Sequence, residues 1–218
     1  MKGVIFDLDG VIVSTDTLHY QAWKALADEL DIYFDEEINN GLRGASRMDS
    51  LNIILECCEC RSFSEEERQM LAERKNQYYK ESLHALTAKN IENNVHQTLA
   101  EIKEMGLKIA IGSSSCNAKT ILLNTKMLDA FDVIVDGNDI EHSKPHPEVF
   151  IKAAERLKIK PTECLVVEDA VVGISAAKAA GMTAVLLGCN GRQCSADYVI
   201  SDLSELIGIL RHTENCFG

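Results

Sequence analysis

The sequence predicts an α/β chain, a doubly wound parallel sheet with a helical segment inserted after its first strand. Three observations carry this. A short β-branched and aromatic run opens the chain, a long stretch of helical periodicity follows it, and from about Asn90 strand-like and helix-like segments alternate. Central strands that are apolar on both faces and joined by helices require parallel pairing with right-handed crossovers.

The opening run, Gly3-Val4-Ile5-Phe6, suits a buried strand and ends directly at Asp7. From Thr15 to about Leu86 there is no convincing strand, and Leu18, Ala22, Ala25, Leu26 and Leu30 begin the helical pattern on one face. Leu51, Ile54, Leu55 and Cys58 form a second stripe, and Ser64-Glu65-Glu66-Glu67 has the form of a capping box opening a helix through Tyr79. Four helices are the natural count for this insert. Beyond it the order is helix Val95–Met105 stopped by Gly106, strand Leu107–Gly112, helix Asn117–Asn124 and strand Phe131–Val135. Helix Pro147–Leu157, with proline in its first turn, is followed by strand Cys164–Val167 and helix Gly173–Ala180 ended by Gly181. Thr183–Leu187 and Tyr198–Ile200 are further strands. The domain division expected is 1–14 with 88–218 for the sheet and 15–87 for the insert.

A formal charge of −12 over 218 residues argues against a broad basic surface for nucleic acid or anionic lipid. The apolar runs around Val4–Phe6, Ile109–Ile111 and Ala184–Leu187 fall far short of the ~20 residues a membrane span needs. Two aspartates interrupt the N-terminal stretch before a signal-peptide core forms, so a cytoplasmic protein is expected. Eight cysteines, with Cys57, Cys58 and Cys60 close together, raise a zinc site or disulfides. No second Cys/His pair stands at ligand spacing from that cluster, and reduced thiols acting as small hydrophobes are the expectation.

Polar residues of kinds that belong together stand at the strand ends: Asp7 and Asp9, Ser113, Lys144 in a loop, and Glu168-Asp169. Parallel strands would gather them at one edge of the sheet, where ligands of such folds bind. Gly10 permits the sharp turn that lets both aspartates reach one place. Asp7, Asp9, Glu168 and Asp169 would repel one another without a cation, and an all-oxygen carboxylate set suits Mg²⁺. Asp7 is then a candidate nucleophile toward phosphorus and Asp9 a candidate acid and base, with Lys144 offsetting charge and Ser113 holding a phosphoryl oxygen. The plainer alternatives are solvated turn aspartates for Asp7 and Asp9, and a simple ion pair between Lys144 and the acids after the fourth strand.

Phe6-Asp7-Leu8-Asp9-Gly10-Val11 with Thr15, then Ser113, then Lys144-Pro145, then Glu168-Asp169 with Gly173, resembles the four-motif set of the haloacid dehalogenase superfamily. The motifs span the chain in the right order. The resemblance implies a Rossmann-like core with a movable helical cap. A closer likeness, to the β-phosphoglucomutase family, is carried by Leu18-His19-Tyr20-Gln21-Ala22-Trp23-Lys24, Leu42-Arg43-Gly44-Ala45-Ser46-Arg47, Arg74-Lys75-Asn76 and Ser113-Ser114-Ser115-Cys116-Asn117. It implies that Arg47 holds the non-transferring phosphate of a sugar phosphate with Ser114, Ser115 and Asn117 on the core side, and that His19, Trp23, Gly44, Ala45 and Lys75 line the closed site. An arginine is apt because its planar fork grips phosphate twice. Without the likeness, His19, Trp23, Arg47 and Lys75 would be read as parts of amphipathic or charged helix faces.

Two departures from the family pattern stand out. Cys116 occupies a position where lysine is usual, so either affinity for the second phosphate is weaker or Arg43 compensates, and Ser14 replaces an aspartate before Thr15. The implied activity is interconversion of β-D-glucose 1-phosphate and glucose 6-phosphate through a phospho-aspartate and glucose 1,6-bisphosphate, with a magnesium-dependent sugar-phosphate phosphatase as the alternative. A non-catalytic sugar-phosphate sensor would be expected to lose Asp7 or Asp9, and both are present. The expected partner is a small sugar phosphate, with no nucleic acid or membrane, and the chain is expected to act as a monomer.

Overall fold

The computed structural model describes residues 1–42, 45–57, 62–188 and 195–215. The chain divides into two units, one of residues 1–14 and 87–218, the other of residues 15–86. The first strand, β1 (Gly3–Phe6), is fully buried and precedes the insert.

The inserted unit holds α1 (Asp16–Glu29), α2 (Glu36–Gly41), α3 (Arg47–Glu56) and α4 (Glu65–Ser82). Side chains set three of the starts. Asp35 accepts from the Ile38 amide at 2.9 Å, and Ser46 Oγ accepts from the Asp49 amide at 3.1 Å. At α4, Ser64 Oγ accepts from the Glu67 amide at 3.2 Å while the Glu67 carboxylate accepts from the Ser64 amide at 2.9 Å. Such reciprocal capping satisfies amides that helix geometry leaves without partners. The buried face of α1 is Ala22, Trp23, Leu26 and Ala27; Leu18, Ala25 and Leu30 are only half-buried. The face is rotated from the expected stripe because the large Trp23 ring takes the centre, packing with Leu26, Phe34, Leu51, Ile54 and Ala72. Each such large side chain contributes about 1.5–3 kcal/mol through burial. Cys58, expected on the α3 stripe, lies outside the described residues.

In the other unit β1 is joined by β2 (Lys108–Gly112), β3 (Val133–Val135), β4 (Cys164–Glu168), β5 (Thr183–Leu187) and β6 (Tyr198–Ile200). The order across the sheet is β3-β2-β1-β4-β5-β6, with every neighbouring pair parallel. Its helices are α5 (Val95–Glu104), α6 (Ala118–Asn124), α7 (Glu148–Leu157), α8 (Val171–Ala179) and α9 (Leu206–Asn215). One register row, Ala110–Ile5–Val166–Ala184, faces Phe150, Ala153 and Ile174 of α7 and α8. Alternate residues point to the opposite face because the strand period is two.

Several boundaries differ from expectation. β3 begins at Val133 rather than Phe131, because Asp132 pairs with Ile109 partly through its side chain: the Asp132 amide donates to the Ile109 carbonyl and the Asp132 carboxylate accepts from the Ile109 amide, both at 2.8 Å. Pro147 is the N-cap of α7 rather than a first-turn residue. α8 begins at Val171, so Gly173 lies inside the helix, and the C-terminal α9, with Leu206, Ile207 and Leu210 buried, was not anticipated. Among the described residues no helix is long and apolar enough to cross a membrane.

Candidate active site

Asp7 sits one residue beyond β1, and its amide continues the ladder to β4 by donating to the Val167 carbonyl at 2.9 Å. Glu168 is the last residue of β4, and since Phe6 is the register partner of Val167, the two acids are neighbours across the sheet. Lys144 bridges them: its Nζ donates to Asp7 Oδ1 at 2.5 Å and to Glu168 Oε1 at 2.7 Å, with the Phe150 ring centroid 4.8 Å away. The Lys144–Pro145 peptide is cis. The second oxygen of Glu168 accepts from the Ala170 amide at 2.8 Å. All three linked side chains are nearly inaccessible to solvent.

Burial on its own lowers the Lys144 pKa, but the charges of Asp7 and Glu168 and their hydrogen bonds outweigh it and raise the pKa. Glu168 is pushed above the ordinary carboxylate range by burial, reinforced by Asp7 and opposed by Lys144. Oxygens of Asp7, Glu168 and Asp169 all lie within 4.8 Å of one another. Three carboxylates against one ammonium leave a net negative, all-oxygen site, which matches a hard divalent cation. Asp9 stands apart from that triplet, two residues into the turn, where it forms a bridge with Val13.

Two glycines permit the cluster. Gly10 has φ +82°, and a Cβ there would stand 2.4 Å from Asp169 Oδ2. At Gly173 a Cβ would stand 1.8 Å from Glu168 Oε1 and 2.0 Å from its Cδ. The N-terminus of α8 therefore approaches the carboxylate only because position 173 lacks a side chain. After β2, the Ser113 amide donates to the Val135 carbonyl at 3.0 Å, and Ser113 Oγ accepts from the Ser115 amide at 3.0 Å. Ser115 Oγ accepts from the Asn117 amide at 3.2 Å, while Ser114 Oγ is buried and meets no hydrogen-bond partner.

Within the inserted unit, His19, Trp23 and Lys75 come together. Lys75, buried on α4, places Nζ 3.0 Å from His19 Nδ1, 4.5 Å from the Trp23 ring centroid and 4.9 Å from that of Tyr79. His19 packs on Tyr79 with ring centroids 4.1 Å apart. Burial first, then the charges of Lys75 and Arg47, holds the His19 pKa well below its usual value, so the neutral ring accepts from the Lys75 ammonium. Arg47, at the start of α3, pairs with Glu73 at 3.4 Å, and Ala45 is half-buried just before it. Gly44 and Arg43 lie outside the described residues.

Residues 4–187 match the family model described as haloacid dehalogenase-like hydrolase. The chain belongs to the haloacid dehalogenase-like hydrolase family. It is 40% identical to a β-phosphoglucomutase of Bacillus subtilis over 98% of this chain and 95% of that protein. The crystal structure of a β-phosphoglucomutase from Clostridium difficile matches with a TM-score of 0.91 at 36% identity, over 100% of this chain and 98% of that one. A phosphorylated-carbohydrate phosphatase of Thermotoga maritima is 29% identical over 84% of this chain and 82% of that protein.

In this haloacid dehalogenase-like chain two rings that pack against candidate site residues stand outside the sequence motifs. Tyr79 lies four positions after Lys75 on one face of α4, a spacing that brings side chains together and was open to detection. Phe150 carries no local signal, since its place beside Lys144 depends on α7 crossing the sheet. Of the described cysteines, Cys164 is buried but Cys57 and Cys116 are exposed, so the expectation of small core hydrophobes holds only for the first.

Gly173→Ala is expected to destabilise the chain by about 1–3 kcal/mol, the usual range for overpacking, and to raise the divalent-cation concentration needed for activity, because Glu168 must leave Lys144. Thermal melting and a Mg²⁺ titration check this; unchanged melting with unchanged Mg²⁺ dependence would show that the contact yields freely. His19→Gln addresses the inserted unit. Because the folded pKa of His19 is depressed, its neutral form contributes stability in full above about pH 6.5, and that contribution is lost as pH falls toward the folded value. Native stability should therefore fall from pH 7 to 5.5 by up to about 1.4 kcal/mol per pH unit more than in His19→Gln. Parallel melting curves of the two proteins across that range would refute it.

Proposed function

We propose that the chain is a β-phosphoglucomutase, interconverting β-D-glucose 1-phosphate and glucose 6-phosphate through phosphorylated Asp7 and glucose 1,6-bisphosphate. The observation that carries the reading is the extent of the likeness. Identity of 40% to the Bacillus subtilis β-phosphoglucomutase takes in 98% of this chain, whereas the 29% likeness to the Thermotoga maritima phosphatase takes in 84%.

Phosphorylated Asp7 gives its phosphoryl group to the sugar C6 hydroxyl, whose proton passes to Asp9. After the bisphosphate is reoriented, a carboxylate oxygen of Asp7 bonds to the phosphorus on C1 as the phosphorus–oxygen bond to the sugar breaks, and Asp9 returns the proton to the departing oxygen. Lys144, already on Asp7 Oδ1, offsets charge on the transferring group, and Ser113 Oγ holds one of its oxygens. Asp7, Glu168 and Asp169, joined by Asp9 from the turn, would hold Mg²⁺, which would supply further positive charge beside that group. Ser114, Ser115 and Asn117 take oxygens of the substrate on the sheet side, and the buried, unpartnered Ser114 hydroxyl supports that role. In the inserted unit Arg47 takes the non-transferring phosphate, with His19, Trp23, Gly44, Ala45 and Lys75 around the sugar.

The test is an assay with β-glucose 1-phosphate, Mg²⁺ and a trace of glucose 1,6-bisphosphate that follows glucose 6-phosphate and free phosphate together. Sustained glucose 6-phosphate with little free phosphate is expected. Phosphate release without isomerisation would make the chain a sugar phosphatase, because water would then be taking the phosphoryl group from Asp7.

A further inference from the structure

Outside the carboxylate cluster, the described residues contain one other group with the chemistry of a metal site: His142, His146 and Glu148, whose ligand atoms all lie within 4.8 Å of one another. His142 Nδ1 is 3.2 Å from Glu148 Oε2, His146 Nδ1 is 4.0 Å from the same oxygen, and the ring centroids are 4.6 Å apart. Ligand atoms around a tetrahedral zinc ion with bonds of ~2.0 Å stand about 3.3 Å from one another. The first pair already meets that separation, and a small rotation of the exposed His146 ring brings in the second.

The carboxylate is held ready. Glu148 Oε1 accepts from Lys152, and the amides of Glu141 and His142 donate to the carboxylate at 3.2 Å and 2.9 Å. Chiefly through Lys152, its pKa is pushed down to about 2, so it is ionised at neutral pH. Lys152 and the Glu141 amide reach Oε1, the oxygen away from the imidazoles, and such bonds are the usual means of orienting a ligating carboxylate; the His142 amide donates to Oε2, whose second lone pair is left for a metal. The His146 amide donates to the Ser143 carbonyl at 3.0 Å, and the turn so closed returns residue 146 to the side of residue 142.

We propose that His142, His146 and Glu148 form a binding site for a borderline divalent transition-metal ion, zinc foremost, separate from the carboxylate cluster and with a coordination position left for water. Two imidazoles and one carboxylate favour such an ion over magnesium, which takes oxygen donors. Each imidazole binds through Nδ1 with its proton on Nε2. The loop that the ion would brace also carries Lys144, whereas neither histidine belongs to the phosphoryl-transfer set, so the site stands or falls independently of the mutase reading.

The experiment is a Zn²⁺ titration of the full, tag-free chain in excess Mg²⁺, following the ring resonances of its six histidines by NMR, which separates this site from binding by the cysteines. His142 and His146 are expected to shift together and saturate at one equivalent. His146→Gln should weaken that response about tenfold or more, with transfer activity in zinc-free Mg²⁺ buffer unchanged. Resonances of His142 and His146 that stay fixed, or an affinity unaltered in His146→Gln, would overturn the proposal.

Discussion

Asp7→Ala is expected to lower phosphoryl transfer by at least about 10⁴-fold, the scale on which loss of a covalent nucleophile acts, while leaving a folded chain. The fold should tolerate the change. Asp7 is buried, but Lys144 keeps Glu168 as a partner when the aspartate is removed, so no ammonium is stranded. Loss of one of three neighbouring acids also relieves repulsion within the cluster. Two measurements belong together: turnover of sugar phosphate, and Mg²⁺-dependent labelling of the protein by a phosphate donor. Both should disappear in Asp7→Ala with melting little changed. A variant that kept turnover within tenfold of the native chain would remove Asp7 from the chemistry and the proposed cycle with it.

Lys144→Met should affect stability and catalysis together. The ammonium is held by Asp7 at 2.5 Å and Glu168 at 2.7 Å in a site almost without solvent, and methionine fills much of its volume without its charge. Removing one partner of a buried ionic group leaves the other charges uncompensated, which costs about 3–5 kcal/mol. A divalent cation on the same carboxylates would replace part of the missing charge, and ligands that bind only the native state stabilise it by mass action. The melting temperature of Lys144→Met should therefore fall steeply in chelator and recover in Mg²⁺ by more than that of the native protein. Activity should remain at least about a hundredfold low even in saturating Mg²⁺, since charge stabilisation at the transferring group is lost. A melting temperature equal to the native one in chelator would mean that the ionic cluster contributes nothing net.

The capping of α4 by Ser64 and Glu67 was legible because four consecutive residues carry it. β1 was legible because a strand buried on both faces must be apolar throughout. The start of β3 was misplaced because Asp132 uses its side chain where a strand residue would use its backbone. His142, His146 and Glu148 carry no distinctive sequence signal although the spacing is short, because two histidines in a polar loop ordinarily signify nothing. His19 and Lys75 are 56 positions apart, and only the packing of α1 against α4 makes them neighbours.

The sequence by itself determined the types of the elements before α9, the cap of α4 and the set of acids, serines and lysine at strand ends, because period, capping and residue chemistry act over a few positions. The tertiary structure alone decided that β1 lies between β2 and β4, which places Asp7 beside Glu168. It also decided that Lys144 reaches both acids, that Asp9 stands outside the carboxylate triplet, and that Gly173 is the gap Glu168 occupies. These outcomes depend on which apolar strands pair and on how far each helix slides along the sheet. Strands buried on both faces all carry the same Val, Ile, Leu and Ala pattern, so no local feature distinguishes one neighbour from another. Only the simultaneous burial of all of them does.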